Sequence, residues 1–169
     1  MRKQGIFFLA LLCLLFQIRT NAQRVSVADS LTTEAVKAFN AKDYNGAVKL
    51  AETAIQVDKT KLKAWIYIAR SKFYMFDFDG TIKTANEGLS IFPSSDTLNN
   101  LVGASYRELF QYDKAITYFE KAKKISKQYS HPYYNLEMIY AIHQNYPELV
   151  KTYIEHYKNL QDDKDIIKS

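Results

Sequence analysis

The chain has 169 residues, 24% of them charged, and a formal net charge of +5. Most of the basic excess is local, because residues 1–22 carry three basic side chains and no acidic one, which leaves a net charge of only +2 on the remainder. Such a balance argues against a nucleic-acid partner. The single cysteine excludes an intrachain disulfide framework. Five glycines and three prolines leave little room for a disordered linker, so one domain is expected after the N-terminal segment.

The N-terminal segment has the features of a secretory signal peptide. Arg2 and Lys3 precede an uninterrupted apolar run at 6–16, and Ala22 supplies a small residue at the expected cleavage point. The run is shorter than the roughly 20 apolar residues that span a bilayer. We therefore predict cleavage after Ala22 and export to the periplasm or cell envelope of a bacterium, with no membrane span afterwards. An uncleaved anchor is one alternative, and lipidation of Cys13 is another, although the apolar run continues past that residue.

One pattern recurs four times along the rest of the chain at a fixed spacing of 34 residues. An aromatic residue begins each copy, and a small or apolar residue follows three positions later. The aromatic positions are Tyr44, Phe78, Tyr112 and Tyr146, and the later positions are Ala47, Thr81, Ala115 and Leu149. Self-similarity at one fixed period is typical of stacked repeats rather than of a single globular core.

The copy around residue 112 is the most complete. It has Val102-Gly103, Tyr106, Ala115 and Phe119, and the copy before it contains Trp65. These residues at this period resemble the tetratricopeptide-repeat family, whose 34-residue signature they follow. The resemblance implies an all-α solenoid of about four helix-turn-helix repeats that form a right-handed superhelix. The repeats would be 28–61, 62–95, 96–129 and 130–163, followed by a tail at 164–169. The predicted helices are 29–41, 44–58, 62–76, 78–92, 96–110, 112–127, 131–144 and 147–161.

Helix caps and the C-terminal edge can also be predicted. Ser95 and Ser130 are expected to be N-caps, and Asp77 and Asp79 are expected to cap the turn beside them. Beyond the last predicted helix, residues 162–169 are too few for another one. The side chains of Tyr153, Tyr157 and Leu160 would then form an exposed apolar edge, unless the tail folds back over it through Ile166 and Ile167.

The resemblance also implies where a partner would bind. In this family the first helices of successive repeats line a concave groove, and the matching positions here combine cations, carboxamides and aromatic rings. Guanidinium and carboxamide groups suit an extended peptide or a carboxylate, and aromatic rings supply rigid contact area. We therefore predict a non-catalytic protein-interaction scaffold whose partner carries an acidic or C-terminal carboxylate segment. The predicted partner-binding residues are Lys63, Tyr67, Arg70, Tyr74, Asn100, Arg107, Tyr134 and Asn135.

Catalytic motifs and metal motifs are missing from the sequence. His131, His143 and His156 lie 12 and 13 residues apart, which is not the spacing of a metal-binding pair on one helix. The sequence has no nucleophile elbow, no phosphate-binding glycine loop and no dinucleotide fingerprint. No enzyme activity, metal or cofactor is therefore expected.

Three other functions are weighed against the peptide groove. The chain could act as an envelope assembly subunit through its terminal edges, including self-association at the C-terminal edge. It could instead be a carbohydrate-handling accessory in which Tyr67 and Tyr74 stack on sugar rings. A chaperone-binding subtype of the family uses a lysine and an asparagine at positions that are Thr32 and Val36 here, so that subtype is not expected.

Overall fold

The chain is almost entirely α-helical. A computed structural model describes residues 2–166, with side chains from 17 to 161 apart from those at 18 and 21. Within those residues there is no strand. The helices are α1 (Arg2–Asn40), α2 (Tyr44–Val57), α3 (Leu62–Tyr74), α4 (Phe78–Ile91), α5 (Asp96–Glu108), α6 (Tyr112–Ile125), α7 (Ser130–Ile142) and α8 (Tyr146–Ile166).

The predicted helices agree closely with the observed ones, except at the two outer ends. The starts of α2 to α6 agree residue for residue, and the ends of α1 to α7 lie within two residues of the predictions. The first helix begins at Arg2 rather than at 29, and α8 continues to Ile166 rather than stopping at 161. The side chains of the apolar run at 6–16, Cys13 among them, lie outside the described ones. The signal-peptide and lipidation hypotheses therefore stay predictions.

The chain divides into two compact units, residues 1–67 and 68–169, and α3 spans the boundary between them. In the first unit α1 packs against α2. Two polar contacts join α1 to the C-terminal end of α2 and the residues after it. Arg24 Nη2 donates to the Val57 carbonyl at 3.2 Å, and Asp29 pairs with Lys61 at 2.6 Å. In the second unit each helix from α4 to α8 packs against the next, and α5 also contacts α7.

The first helix of every repeat ends in the same backbone turn. Lys42, Phe76, Phe110 and Gln144 all have positive φ values, between 53 and 63°, and they are 34 residues apart. At the third turn the Phe110 N–H donates to Arg107 O at 2.9 Å, and the Gln111 N–H donates to Tyr106 O at 2.8 Å. These two bonds define a Schellman C-cap, for which glycine is the usual residue. Here four side chains other than glycine occupy that position.

Two of the second helices begin with a matched aspartate and glycine. Asp43 accepts a hydrogen bond from the Gly46 amide, and Asp77 accepts one from the Gly80 amide, each at 2.9 Å. A Cβ atom at either glycine would lie 2.0 Å from the Oδ2 atom of its aspartate. The glycine therefore makes room for the cap. The predicted role of Asp77 is confirmed.

The other predicted caps have different outcomes. The Ser95 side chain accepts from the Leu98 amide at 3.2 Å, so this N-cap prediction is confirmed. The Ser130 prediction is wrong, because α7 begins at that residue and Tyr129 is the N-cap, without a side-chain cap hydrogen bond. Asp79 lies inside the first turn of α4 rather than at its cap.

Replacing Asp77 by alanine is expected to destabilise the protein by about 1 kcal/mol, because the Gly80 amide loses its hydrogen-bond acceptor. Urea unfolding followed by circular dichroism measures the change. Glu87→Ala is the matched control, since it removes an exposed carboxylate from a later turn of the same helix. Equal losses in the two variants would contradict the capping role.

The core of the second unit lies where α5, α6 and α7 meet. Phe119 on α6 is fully buried among Ala104, Leu136, Ile139 and Tyr140. Gly103 on α5 makes this close approach possible, since a Cβ atom there would lie 2.8 Å from two carbon atoms of the Phe119 ring. The signature glycine of this repeat is therefore required by packing. Ala47 and Ala115, two of the recurring residues at the 34-residue spacing, are also fully buried.

Candidate functional site: the polar face of α5 and α7

A hydrogen-bonded group of side chains joins α5 to α7 in the second unit. Arg107 donates through Nη1 to the Asn135 side-chain oxygen and through Nη2 to a carboxylate oxygen of Glu108. Asn135 donates in turn to the Asn100 side-chain oxygen at 3.3 Å and to the His131 carbonyl at 3.0 Å. Asn100, Arg107 and Asn135, three of the predicted partner-binding residues, are thus in direct contact. We call Asn100, Arg107, Glu108 and Asn135 the polar face.

Tyr129 extends the polar face toward the C-terminal part of α3, which belongs to the second unit. Burial raises the pKa of the Tyr129 hydroxyl, and the negative charge of Asp96 acts in the same direction. The positive charge of Arg70 and hydrogen bonds with Thr97 and Asn100 act against that increase in pKa. Arg70 is therefore close enough to Tyr129 to affect it electrostatically, and it adds a second guanidinium group to this part of the unit.

The remaining predicted residues are placed differently. Tyr134 is exposed on α7, and its ring packs edge-on against His156 with the centroids 4.7 Å apart. The Tyr74 ring is also exposed and lies 6.1 Å from that of Phe73. In the first unit, Lys63 is exposed on α3, and the Tyr67 ring meets Phe39 edge-on at 5.1 Å.

Two residues of this site are not among those predicted. Glu108 occupies a groove-lining position of the family pattern, but the sequence does not reveal that its carboxylate binds the guanidinium of Arg107. Tyr129 lies just before α7, outside the helical positions that the pattern uses. The signal in the sequence that could have identified Tyr129 is an aromatic residue immediately before α7, the first helix of the fourth repeat.

The polar face combines a guanidinium group with carboxamides, groups whose chemistry suits carboxylates and peptide backbone. Its guanidinium already binds one carboxylate, that of Glu108, and the amide groups of the buried Asn100 and the half-buried Asn135 lie beside it. Among the side chains that the structure describes, no three histidine, cysteine or acidic residues come together as metal ligands. Within the same part of the chain, no helix is long and apolar enough to cross a membrane.

Comparisons with known proteins show that the arrangement of helices is a known fold. No family model matches the chain. Among curated proteins, heat shock protein STI1 of Saccharomyces cerevisiae is 33% identical over 100 residues. That match covers 58% of this chain but only 17% of the yeast protein, so the chain corresponds to a small part of that relative.

Solved structures match over a larger share of the chain. MamA from Desulfovibrio magneticus RS-1 has a TM-score of 0.69 at 12% identity, covering 80% of this chain and 76% of its own. The TPR domain of Arabidopsis OM64 has a TM-score of 0.66 at 15% identity, covering 69% of this chain and 96% of its own. The first TPR of Spaghetti (RPAP3), bound to the HSP90 peptide SRMEEVD, has a TM-score of 0.66 at 16% identity, covering 69% and 93%. The chain therefore has the tetratricopeptide-repeat fold that its sequence resembles.

Proposed function

We propose that the protein is a non-catalytic interaction module that binds an extended peptide segment bearing acidic side chains or a free C-terminal carboxylate. The polar face is its centre, and Arg70 contributes a second cation. The observation that carries this proposal is the bond between Arg107 and the Glu108 carboxylate, which occupies the site as an incoming carboxylate would. A structural neighbour is described as bound to a peptide whose sequence, SRMEEVD, is itself acidic.

The internal carboxylate gives this site a specific feature. A peptide carboxylate has to compete with Glu108 for the Arg107 guanidinium, or share it through the remaining N–H groups. Asn135 orients the guanidinium from α7, because it accepts from the other terminal nitrogen. Removing the internal competitor should therefore strengthen binding, whereas removing the guanidinium should weaken it.

Fluorescence polarisation with a labelled SRMEEVD peptide tests the proposal. Replacing Arg107 by glutamate removes a charge-assisted hydrogen bond, worth about 1.5–3 kcal/mol, and adds repulsion. We expect affinity to fall by about 10- to 100-fold. Arg70→Glu should weaken binding in the same direction, Glu108→Gln should strengthen it, and amidation of the peptide C-terminus should show whether the terminal carboxylate contributes.

Lys124→Glu is the matched control, because it reverses an exposed charge on α6, away from the polar face. If Lys124→Glu costs as much affinity as Arg107→Glu, binding is general electrostatic attraction and the proposed site is wrong. An unchanged affinity in Arg107→Glu would overturn the site as well. Circular dichroism of each variant checks that the helices remain.

A second candidate function is assembly through the C-terminal edge, on α8. The specific observation in its favour is the exposure of Tyr153 and Tyr157 on α8, which is one of the two arrangements that the sequence left open. The alternative, a tail that folds back over them, does not occur as far as Ile166, because α8 continues through that residue. Ile167 lies outside the described residues.

We also propose that the domain works outside the cytoplasm, since residues 1–22 have the pattern of a signal peptide. The intact mass of the protein isolated from its own cells tests this point. A chain that begins at Gln23 supports cleavage and export. A chain that retains Met1 or Arg2 supports the anchor alternative.

A further inference from the structure

The outer face of α8 carries an apolar seam. Its members follow one another at intervals of four, three, four and three residues, and each is between 38 and 61% exposed. They are Tyr146, Val150, Tyr153, Tyr157 and Leu160. Ile154, also exposed, lies beside them. Alternating steps of four and three give a mean of 3.5 residues, which is the spacing by which one helix packs along another. We call these five residues the α8 seam.

The preceding repeat shows what covers such a face. Moving back by 34 residues, Tyr146, Val150 and Tyr153 correspond to Tyr112, Ile116 and Phe119 on α6. Those three side chains pack in the core cluster to which α7 contributes Leu136, Ile139 and Tyr140. The same positions that a following helix covers in the third repeat are therefore exposed in the fourth, and they remain apolar there.

The described part of this chain does not supply the cover. From Tyr146 to Ile166 the backbone is one continuous helix, so it does not turn back across its own outer face. We therefore consider a second molecule as the source of the cover. A helix with an apolar face would match the α8 seam.

Head-to-tail stacking of a second copy would place α1 over the α8 seam, and its side chains do not suit that position. The residues of α1 that correspond to Leu136 and Ile139 are Glu34 and Lys37. These two form an exposed ion pair at 2.9 Å, with more than half of each side chain accessible. Burying such a pair against tyrosine rings incurs a large desolvation cost. An open chain of stacked copies is therefore disfavoured.

We propose that the α8 seam pairs with the α8 seam of a second copy, antiparallel and about a two-fold axis at Tyr153. In this register Tyr146 lies opposite Leu160 of the second copy, and Val150 lies opposite Tyr157 of the second copy. Large and smaller side chains thus face each other, which favours close packing. A parallel pair would instead place three tyrosines opposite their own copies.

Three charged residues of α8 already have partners and need no new one on pairing. Lys151 is paired with Glu148 at 3.1 Å, and Glu155 is paired with Lys123 at 3.0 Å. All four lie off the α8 seam. A two-fold contact of this kind is self-complementary and closes at two copies. The inference rests on the second candidate function above and names its partner as another copy of this chain.

Sedimentation equilibrium of the purified full chain tests the pairing. The wild type should show twice the 19.6 kDa mass of one chain. Tyr153→Glu should weaken dimerisation by at least about 100-fold, because two carboxylates would meet at the axis. Phe76→Glu is the matched control, since it also replaces an exposed aromatic residue by glutamate but lies in the turn between α3 and α4, and it should leave the dimer intact.

Crosslinking tests the antiparallel register in a Cys13→Ser background, which removes the native thiol. A mixture of Tyr146→Cys and Leu160→Cys chains should form disulfide-linked dimers, whereas either variant alone should not. Linked dimers of Tyr146→Cys alone would overturn the antiparallel arrangement.

A monomeric wild type at high concentration would overturn the pairing, and so would a dimer that Tyr153→Glu leaves unchanged. Neither result would remove the broader assembly function. That function fails separately, if Tyr153→Glu leaves unchanged every crosslink that the protein forms in its own cells. Peptide binding at the polar face is measured independently of both.

Discussion

Replacing Phe119 by alanine is expected to lower the free energy of unfolding by about 3–5 kcal/mol. The ring is fully buried where α5, α6 and α7 meet, and its loss leaves a cavity lined by Leu136, Ile139 and Tyr140. Helices packed in this way close around a void only in part, so both the transfer term and the cavity term contribute. Urea unfolding followed by circular dichroism at 222 nm measures the change.

Tyr153→Ala is the matched control for this substitution. Tyr153 occupies the same position one repeat later, but its side chain is exposed. At a concentration low enough to keep the chain monomeric, its replacement should change stability by less than about 0.5 kcal/mol. Similar losses in the two variants would contradict the conclusion that α7 covers Phe119 while the α8 seam is uncovered.

Replacing Gly103 by valine is the second large effect, a loss of about 1–3 kcal/mol from overpacking. The added Cβ would lie 2.8 Å from the Cδ1 and Cε1 atoms of Phe119 and 3.2 Å from the Ala115 carbonyl oxygen. The carbonyl belongs to the α6 backbone, so the helices themselves must separate. Glycine inside a helix is otherwise unfavourable by about 1 kcal/mol relative to alanine. Replacing it therefore gains helix propensity, and the steric cost of the new side chain has to exceed that gain.

A double variant distinguishes this clash from a general effect on α5. In Gly103→Val with Phe119→Leu, the smaller side chain makes room for the new methyl groups. The combined loss should therefore be smaller than the sum of the two single losses, by about 0.5 kcal/mol or more. Strict additivity would show that Gly103 is required for another reason. Urea unfolding of the four proteins completes the cycle.

The fold could be predicted from sequence because each repeat places the same kinds of residue at the same distances. Ala115 and Gly103 are small since two helices meet there, and Phe119 fills the space that they leave. Packing of this kind constrains residue size at particular positions, and a sequence displays residue size directly. The turns are equally regular, so helix starts from α2 to α6 were located correctly.

The outer ends were harder to predict, because no period continues there. Residues 162–169 were predicted to lie beyond the last helix, yet that stretch contains no glycine or proline to end a helix, and α8 continues to Ile166. Ser130 is a favourable capping residue in isolation, but the preceding turn places Tyr129 at the cap instead.

The candidate site could be predicted only as far as helix faces. The family pattern assigns Asn100, Arg107 and Asn135 to one surface, and the structure brings these three into contact. The family pattern gives no information about side-chain torsions. Those torsions decide that the Arg107 guanidinium binds Glu108 and Asn135 at the same time. How accessible the Arg107 guanidinium is to a partner therefore depends on the folded structure and cannot be read from the sequence.

The turns that end the first helices have a practical consequence. Lysine, two phenylalanines and glutamine occupy the same left-handed position at 42, 76, 110 and 144. The bonds that form each turn join backbone atoms alone, such as those between Asp77 N and Lys72 O. Side chains that are unbranched at Cβ and of different chemistry are thus tolerated at four places that recur at equal intervals along the chain. They are suitable points for attaching dyes or spin labels, and distances between them would report how the repeats bend when a partner binds.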